Sequence, residues 1–331
     1  MTLCLAVPFP DSVMNQSVLS DGRLPVIDVS ALFEPDGDVA AVAREIGAAC
    51  RGIGFFYVCG HGIGAGRIDD MFAMARRFFA LPAEAKDALG IEAAGNNRGY
   101  VGIESENLDP AAPHDIKEAF NIGRESGPGD DAAPTPWPDL PGFRQLMTDF
   151  YAACQHLATT LHRAIAVDLG EQENYFARLV DRPAATLRLL HYPPLGPALG
   201  GGRLGAGVHT DYGNLTLLAQ DEIGGLEVQT RTGAWISAAP LPGAFLCNIG
   251  DCLMRWSNDI YVSTPHRVVA PTTLDRYSMA YFFDPNPDAV IACLSGCVTP
   301  DRPAAHAPIR FDAYLKERLN STYRQSDSVG G

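Results

Sequence analysis

Three short stretches of this chain bring together residue types that do metal and carboxylate chemistry. In His209-Thr210-Asp211 an imidazole and a carboxylate stand two residues apart. Residues i and i+2 of a strand point to one face, so both side chains converge on one point. Pro265-His266-Arg267-Val268-Val269 places a second imidazole at the head of a later apolar run. Two imidazoles and one carboxylate with positions left open form the donor set of non-haem Fe(II) centres. On its own, His-x-Asp is a weak signal, and a lone histidine such as His266 is more often a structural residue than a ligand. The third stretch, Arg276-Tyr277-Ser278, sets a guanidinium and a hydroxyl on one strand face. Buried together, they make a bidentate clamp for a carboxylate. The alternative, a surface arginine, loses ground because Met279-Ala280-Tyr281-Phe282-Phe283 makes the segment largely apolar.

The elements that carry these residues fall into two regimes. Before about residue 183 the pattern is helical with strands between. Leu24–Val29 and Phe55–Val58 read as strands. Val42, Ile46, Ala49, Cys50 and Ile53 recur at helical spacing, as do Ile68, Met71, Phe72, Ala75 and Phe79. Residues 123–142 are dense in Pro, Gly and Asp and read as a surface connection. A long helix then carries Phe143, Leu146, Met147, Phe150, Cys154, Leu157 and Leu161 on one stripe and finishes near Gly170. From Thr186 onward, short β-like runs alternate with turns: Thr186–Tyr192, Gly207–Leu218, Gly225–Gln229, Ala244–Ile249, His266–Val269 and Tyr277–Phe283. That spacing predicts a sandwich, jelly roll or barrel. A short helix over Asp312–Leu319 closes the chain.

Composition narrows the function classes. Of 331 residues, 47% are apolar and 19% charged, a globular mix. The net charge of −14 repels a phosphate backbone or an anionic membrane surface, so neither nucleic acid nor membrane is expected as a partner. No apolar run reaches the length of a membrane span, and Met1–Val7 lacks the basic flank of a secretory signal. The eight cysteines are scattered and several lie in apolar runs, as in reduced cytoplasmic proteins. Cys293 and Cys297 lack the second pair that a metal or redox site would need.

His209-Thr210-Asp211-Tyr212-Gly213, Asn248-Ile249-Gly250-Asp251, Ser263-Thr264-Pro265-His266-Arg267-Val268 and Arg276-Tyr277-Ser278 together resemble the isopenicillin N synthase-like branch of the Fe(II)/2-oxoglutarate dioxygenases. Pro25-Val26-Ile27-Asp28, Gly54-Phe55-Phe56-Tyr57 and Gly60-His61-Gly62 are similar to that branch's N-terminal region, so the likeness spans about residues 24–320. It implies a mainly β fold with α, a distorted double-stranded β-helix (jelly roll) core flanked by N-terminal and long packing helices. The implied division is 24–140 for an N-terminal α/β region, 141–182 for the long helix and connection, 183–290 for the β-helix core and 291–331 for a C-terminal extension. It further implies Fe(II) on His209, Asp211 and His266, with 2-oxoglutarate gripped by Arg276 and Ser278 and assisted by Tyr192. O2 is then a co-substrate, with ascorbate as an optional reductant. The implied reaction hydroxylates or otherwise oxidises a C–H bond of a small molecule as 2-oxoglutarate becomes succinate and CO2. No obligate protein partner is implied.

Within the branch, Asn97-Arg98-Gly99-Tyr100, Asp115-Ile116-Lys117-Glu118, Arg163–Val167 and Leu187–Pro193 look most like thymine hydroxylase-type microbial enzymes. In those a base is held by an arginine and two aromatic rings, matched here by Arg188, Tyr212 and Phe282. Arg98 and Tyr100 join them as expected substrate contacts, and a pyrimidine is one implied substrate among others. Leu190 departs from plant relatives that often have Asn there, leaving Tyr192 as this strand's co-substrate contact. Trp256 and Asn258 either border the site or pack structurally. His61, His114, His156, His162 and His191 are read as structural. Two other readings stay open: an Fe(II) oxidase or ethylene-forming enzyme of the same fold, and a non-catalytic binding protein on a decayed oxygenase fold.

Overall fold

The computed structural model describes residues 23–91, 97–106, 114–125, 134–196 and 203–324. The sequence readings on Met1–Val7, on residues 126–133 of the Pro/Gly-rich stretch 123–142 and on Gly200-Gly201-Gly202 lie outside the described residues. Two sheets face each other. The larger has eight strands in the order β1 (Val26–Asp28), β2 (Phe55–Cys59), β10 (Phe245–Ile249), β7 (Leu215–Gln220), β12 (Arg276–Phe283), β5 (Thr186–Tyr192), β4 (Glu118–Gly123) and β3 (Gly99–Val101). The smaller has four, β6 (Leu204–His209), β11 (His266–Val269), β8 (Leu226–Gln229) and β9 (Trp235–Ser237). A two-stranded ribbon, β13 (Val290–Ile291) with β14 (Ile309–Arg310), lies beyond them. Every pairing in the two large sheets is antiparallel except β1 with β2. This is the jelly-roll architecture expected from the sequence.

Strand alternation divides the molecule into two cores. On β12, Met279, Tyr281 and Phe283 face outward and pack with helices α1 (Val39–Gly52), α2 (Ala65–Phe79) and α4 (Phe143–Asp168). The opposite face of the large sheet, with Phe55, Leu190, Leu246 and Ala280, meets Ala206, Leu226 and Val268 of the small sheet in the space between the two. The outer core fixes the large sheet, and the inner one leaves a cavity. Shorter helices α3 (Ala83–Asp87) and α5 (Asp251–Trp256) edge the sheets, and α6 (Phe311–Arg324) follows the ribbon. Among the described residues no helix is long and apolar enough to cross a membrane.

The sequence pattern predicts one strand across Gly207–Leu218, and the structure breaks it. β6 ends at His209 in the small sheet, β7 begins at Leu215 in the large one, and residues 210–214 cross between them. The crossing is tight: a Cβ on Gly213 would sit 1.7 Å from Asp284 Oδ1. Apolar residues on both sides of the crossing hid the break from a period-2 reading.

Candidate active site

Asp211 lies two residues past the end of β6, so the crossing, rather than strand alternation, brings it to His209. His266 opens β11 and is the cross-strand partner of His209. The Nε2 atoms of His209 and His266 stand 3.9 and 3.8 Å from Asp211 Oδ1. Ligand atoms of all three lie within 4.8 Å of one another, so the group could hold a metal ion. Each imidazole is oriented from behind, with Nδ1 2.7 Å from the Gly207 carbonyl in His209 and 3.1 Å from the Thr264 carbonyl in His266. Carbonyls only accept, so each ring carries its proton on Nδ1 and turns the Nε2 lone pair toward Asp211. Asp211 Oδ2 accepts from Thr216 Oγ1 at 2.6 Å and Asn248 Nδ2 at 2.7 Å, leaving Oδ1 toward the histidines.

The electrostatics suit the same role. Burial, helped by the neighbouring His266, drives the His209 imidazole down to about 3, so it is neutral near pH 7. Burial would raise the Asp211 carboxyl. His266, His209 and the Asn248 and Thr216 hydrogen bonds outweigh it and keep the group below its ordinary value. A neutral His209 imidazole and an ionised Asp211 carboxylate are protonation states that a bound divalent cation needs. The donor set, with its open side on the cavity, therefore fits Fe(II).

Arg276 is 1% exposed, and its guanidinium lies over the Tyr192 ring at 4.6 Å from the centroid. Gly205 makes room for that ring, since a Cβ there would come within 2.6 Å of it. Nε of Arg276 donates to the Gly224 carbonyl, Nη1 to Ser278 Oγ at 3.2 Å and Nη2 to Gln220 Oε1 at 3.3 Å. Among the described residues no carboxylate lies within ion-pair distance of it. A guanidinium has five N–H donors, so one remains on each terminal nitrogen, a fork matched to a carboxylate. Arg276, Ser278, Tyr192 and the His209–Asp211–His266 group line one cavity of about 290 Å³.

Arg188, Tyr212 and Phe282 line that cavity too. Arg188 is anchored by Glu106 at 2.5 Å, and Lys117 binds both Glu106 (3.3 Å) and Asp115 (2.5 Å). Burial opposes ionisation of Glu106, but Arg188 and Lys117 hold its carboxyl at about 2. At the floor, burial pushes the Asp284 carboxyl up to about 7 against the Asn214 N–H that it accepts. Tyr212 is held from outside by α6: Tyr314 Oη donates to its carbonyl at 3.1 Å, and the Arg318 guanidinium lies 4.7 Å from its ring centroid.

The structure places two expected substrate contacts, Arg98 and Tyr100, away from the cavity. Tyr100 faces outward by alternation, with its hydroxyl on Glu118 at 2.6 Å and its ring near Phe78, while Val101 joins the inner core. Arg98 donates to the Arg124 carbonyl at 2.9 Å, and neither residue lines the cavity. Trp256 and Asn258 pack structurally: Trp256 lies against Phe176, and Asn258 donates to the carbonyls of Cys297 and Pro303. Missed from sequence were Asn97, Lys117 and Asn121 on the cavity wall, and Thr216 and Asn248 behind Asp211. Lys117 stood in a motif already singled out; Asn121 lies on β4, which carried no strand signal.

Two family models match the chain. The one described as non-haem dioxygenase in morphine synthesis N-terminal covers residues 24–140, and the 2OG-Fe(II) oxygenase superfamily covers 183–285. The 2-oxoglutarate-Fe(II) type oxidoreductase hxnY of Emericella nidulans is 33% identical over 92% of this chain and 91% of its own. Homoarginine-6-hydroxylase 2-ODD-C23.1 of Arabidopsis thaliana is 38% identical over 83% and 88%. The crystal structure of full-length Neurospora crassa thymine-7-hydroxylase with alpha-KG and thymine superposes with a TM-score of 0.83 at 38% identity, covering 92% of this chain and 99% of that one.

Proposed function

The chain belongs to the 2OG-Fe(II) oxygenase superfamily, and from that premise we propose that His209, Asp211 and His266 bind Fe(II) while Arg276 and Ser278 hold the distal carboxylate of 2-oxoglutarate. The protein is an Fe(II)- and 2-oxoglutarate-dependent oxygenase that oxidises a small substrate. When bound, the iron supplies the redox chemistry that couples O2 and 2-oxoglutarate decarboxylation to that oxidation. The chain's own residues position and insulate. Gly207 and Thr264 carbonyls fix the imidazole tautomers, and Asn248 and Thr216 keep Asp211 ionised and aimed. Arg276 sets the depth of 2-oxoglutarate, and Tyr192 covers the guanidinium's face. Tyr212, Phe282 and Arg188 hold the prime substrate over the metal end of the cavity.

The observation that carries the co-substrate assignment is the buried Arg276 with no carboxylate of its own beside it. Asp221 acts on this guanidinium only from beyond ion-pair distance, and a buried guanidinium without a carboxylate in direct contact is costly, so a ligand carboxylate supplies what is missing. Succinate formation from 2-oxoglutarate under air, with Fe(II) added to metal-free protein, tests the reading. It should be abolished in Asp211→Ala; persistence at the wild-type rate would remove the metal assignment. We further place the enzyme in the cytoplasm, supported by seven described cysteines that are all free, six of them buried.

A further inference from the structure

Alternate residues of β12 face the cavity between the sheets, and they line its wall in order: Arg276, Ser278, Ala280, Phe282 and then Asp284, just past the end of the strand. A cation thus stands at one end of this row and a carboxyl at the other. The Ala184 N–H donates to the Pro285 carbonyl at 3.1 Å, so the pairing with the segment before β5 continues past Asp284 and fixes it there. Asp284 Oδ1 sits against the crossing between the sheets, where it accepts the Asn214 N–H at 3.2 Å. Among the described residues Oδ2 accepts no hydrogen bond, and Asp284 forms no ion pair.

The other charged groups lining the cavity all have a counter-charge in the loaded enzyme. Arg188 pairs with Glu106, and Lys117 with Glu106 and Asp115. The charges of Fe(II) and Arg276 are cancelled by Asp211 and the two carboxylates of 2-oxoglutarate. Among the described lining residues, Asp284 alone is left without a match. Burial pushes its carboxyl up to about 7 against the Asn214 N–H, Asp211 adds to the push, and no cation opposes it. An enclosed carboxylate without a counter-charge is costly, and a ligand cation offsets that cost.

Resting on the oxygenase reading above, we propose that the prime substrate carries a protonated nitrogen (an amine, amidine or guanidine) and that Asp284 receives it. Oδ2 accepts an N–H of the charged group in a charge-assisted hydrogen bond. Phe282, two residues back on the same face, offers its ring to the same cation. Asp284 is then a substrate-binding residue at the end of the row opposite the Arg276 clamp. A substrate carboxylate at this end would be repelled.

Anaerobic calorimetry near neutral pH on Fe(II)- and 2-oxoglutarate-loaded protein tests this with matched pairs: benzamidine against benzamide, butylguanidine against butylurea, and piperidine against 2-piperidone. Each neutral member keeps an N–H, so the pairs differ in charge rather than in the presence of a donor. The expected result is that at least one cation binds about tenfold or more tightly than its neutral counterpart. Asp284→Asn keeps the shape and can still accept the Asn214 N–H; it should erase that preference while 2-oxoglutarate still binds. If that variant does not fold, the paired comparison on the natural protein decides alone. No binding by any of the cations, a preference below about tenfold in every pair, or a preference that survives in folded Asp284→Asn would overturn the proposal. Failure of the Fe(II) protein to bind 2-oxoglutarate would overturn the oxygenase reading instead.

Discussion

Replacing Arg276 by Gln removes the buried cation and leaves a shorter, neutral polar side chain. Arg276 spends three donors on Gly224, Ser278 and Gln220, leaving two for a ligand carboxylate. Charge-assisted hydrogen bonds are each worth about 1.5–3 kcal/mol, and truncating one partner of a buried charged pair costs about 2–5 kcal/mol. With the guanidinium 1% exposed, solvent screening gives little relief. Arg276→Gln should therefore weaken 2-oxoglutarate binding by about 3–4 kcal/mol, roughly 100- to 1,000-fold. Arg276→Lys keeps the charge and loses the fork, which should cost about tenfold. The assay is anaerobic titration of 2-oxoglutarate into Fe(II)-loaded protein by calorimetry, with circular dichroism to establish folding. Iron affinity should not change, because Arg276 touches none of the three metal-site residues. A folded Arg276→Gln protein with 2-oxoglutarate affinity within threefold of the natural protein would refute the clamp.

Other consequences concern the supports of the site. Asn248→Leu removes one of the two hydrogen bonds on Asp211 Oδ2 and should lower Fe(II) affinity about 10- to 100-fold, read by competition with a chelator; unchanged affinity would mean Asn248 only packs. His162 is buried between Phe176 and Phe283, and burial drives its imidazole down to about 4 from the ordinary 6.5. Between pH 6.5 and 4 the unfolded chain takes up this proton first, so stability falls as pH drops through that window, by up to about 3 kcal/mol. In His162→Gln the urea midpoint should vary less across that range, and parallel curves would refute the assignment. Burial also raises the thiols of Cys50, Cys154, Cys247 and Cys252, so among the seven described cysteines iodoacetamide should label the partly exposed Cys293 first; early labelling of any of those four would contradict the packing.

What could be read from sequence divides along physical lines. α1, α2 and α4 were legible because each buries one apolar stripe on the outer face of the large sheet, and a 3.6-residue period records that directly. β5, β10, β11 and β12 were legible because their apolar runs are bounded by Gly and Pro. β4 was not: all six of its residues are buried, yet it carries Glu118, paired to Lys86, and Asn121, so it reads as polar. The convergence of His209 and Asp211 was expected from strand geometry and arises instead from the crossing between sheets. Arg98 and Tyr100 were placed by likeness to a motif, and likeness does not report which way a side chain turns on the edge strand β3 or just before it. Asn121 became visible only through its register against Arg188, a cross-strand fact that no single-chain pattern contains.

The most direct test of the whole account is a crystal structure grown without oxygen in the presence of Fe(II) and 2-oxoglutarate, with diffraction collected at the iron edge. The account predicts one anomalous peak in bonding contact with His209 Nε2, His266 Nε2 and Asp211 Oδ1. 2-Oxoglutarate should chelate that ion and reach Arg276 and Ser278 with its far carboxylate. Iron bound elsewhere, or 2-oxoglutarate lying with its distal carboxylate on Arg188 instead, would contradict it.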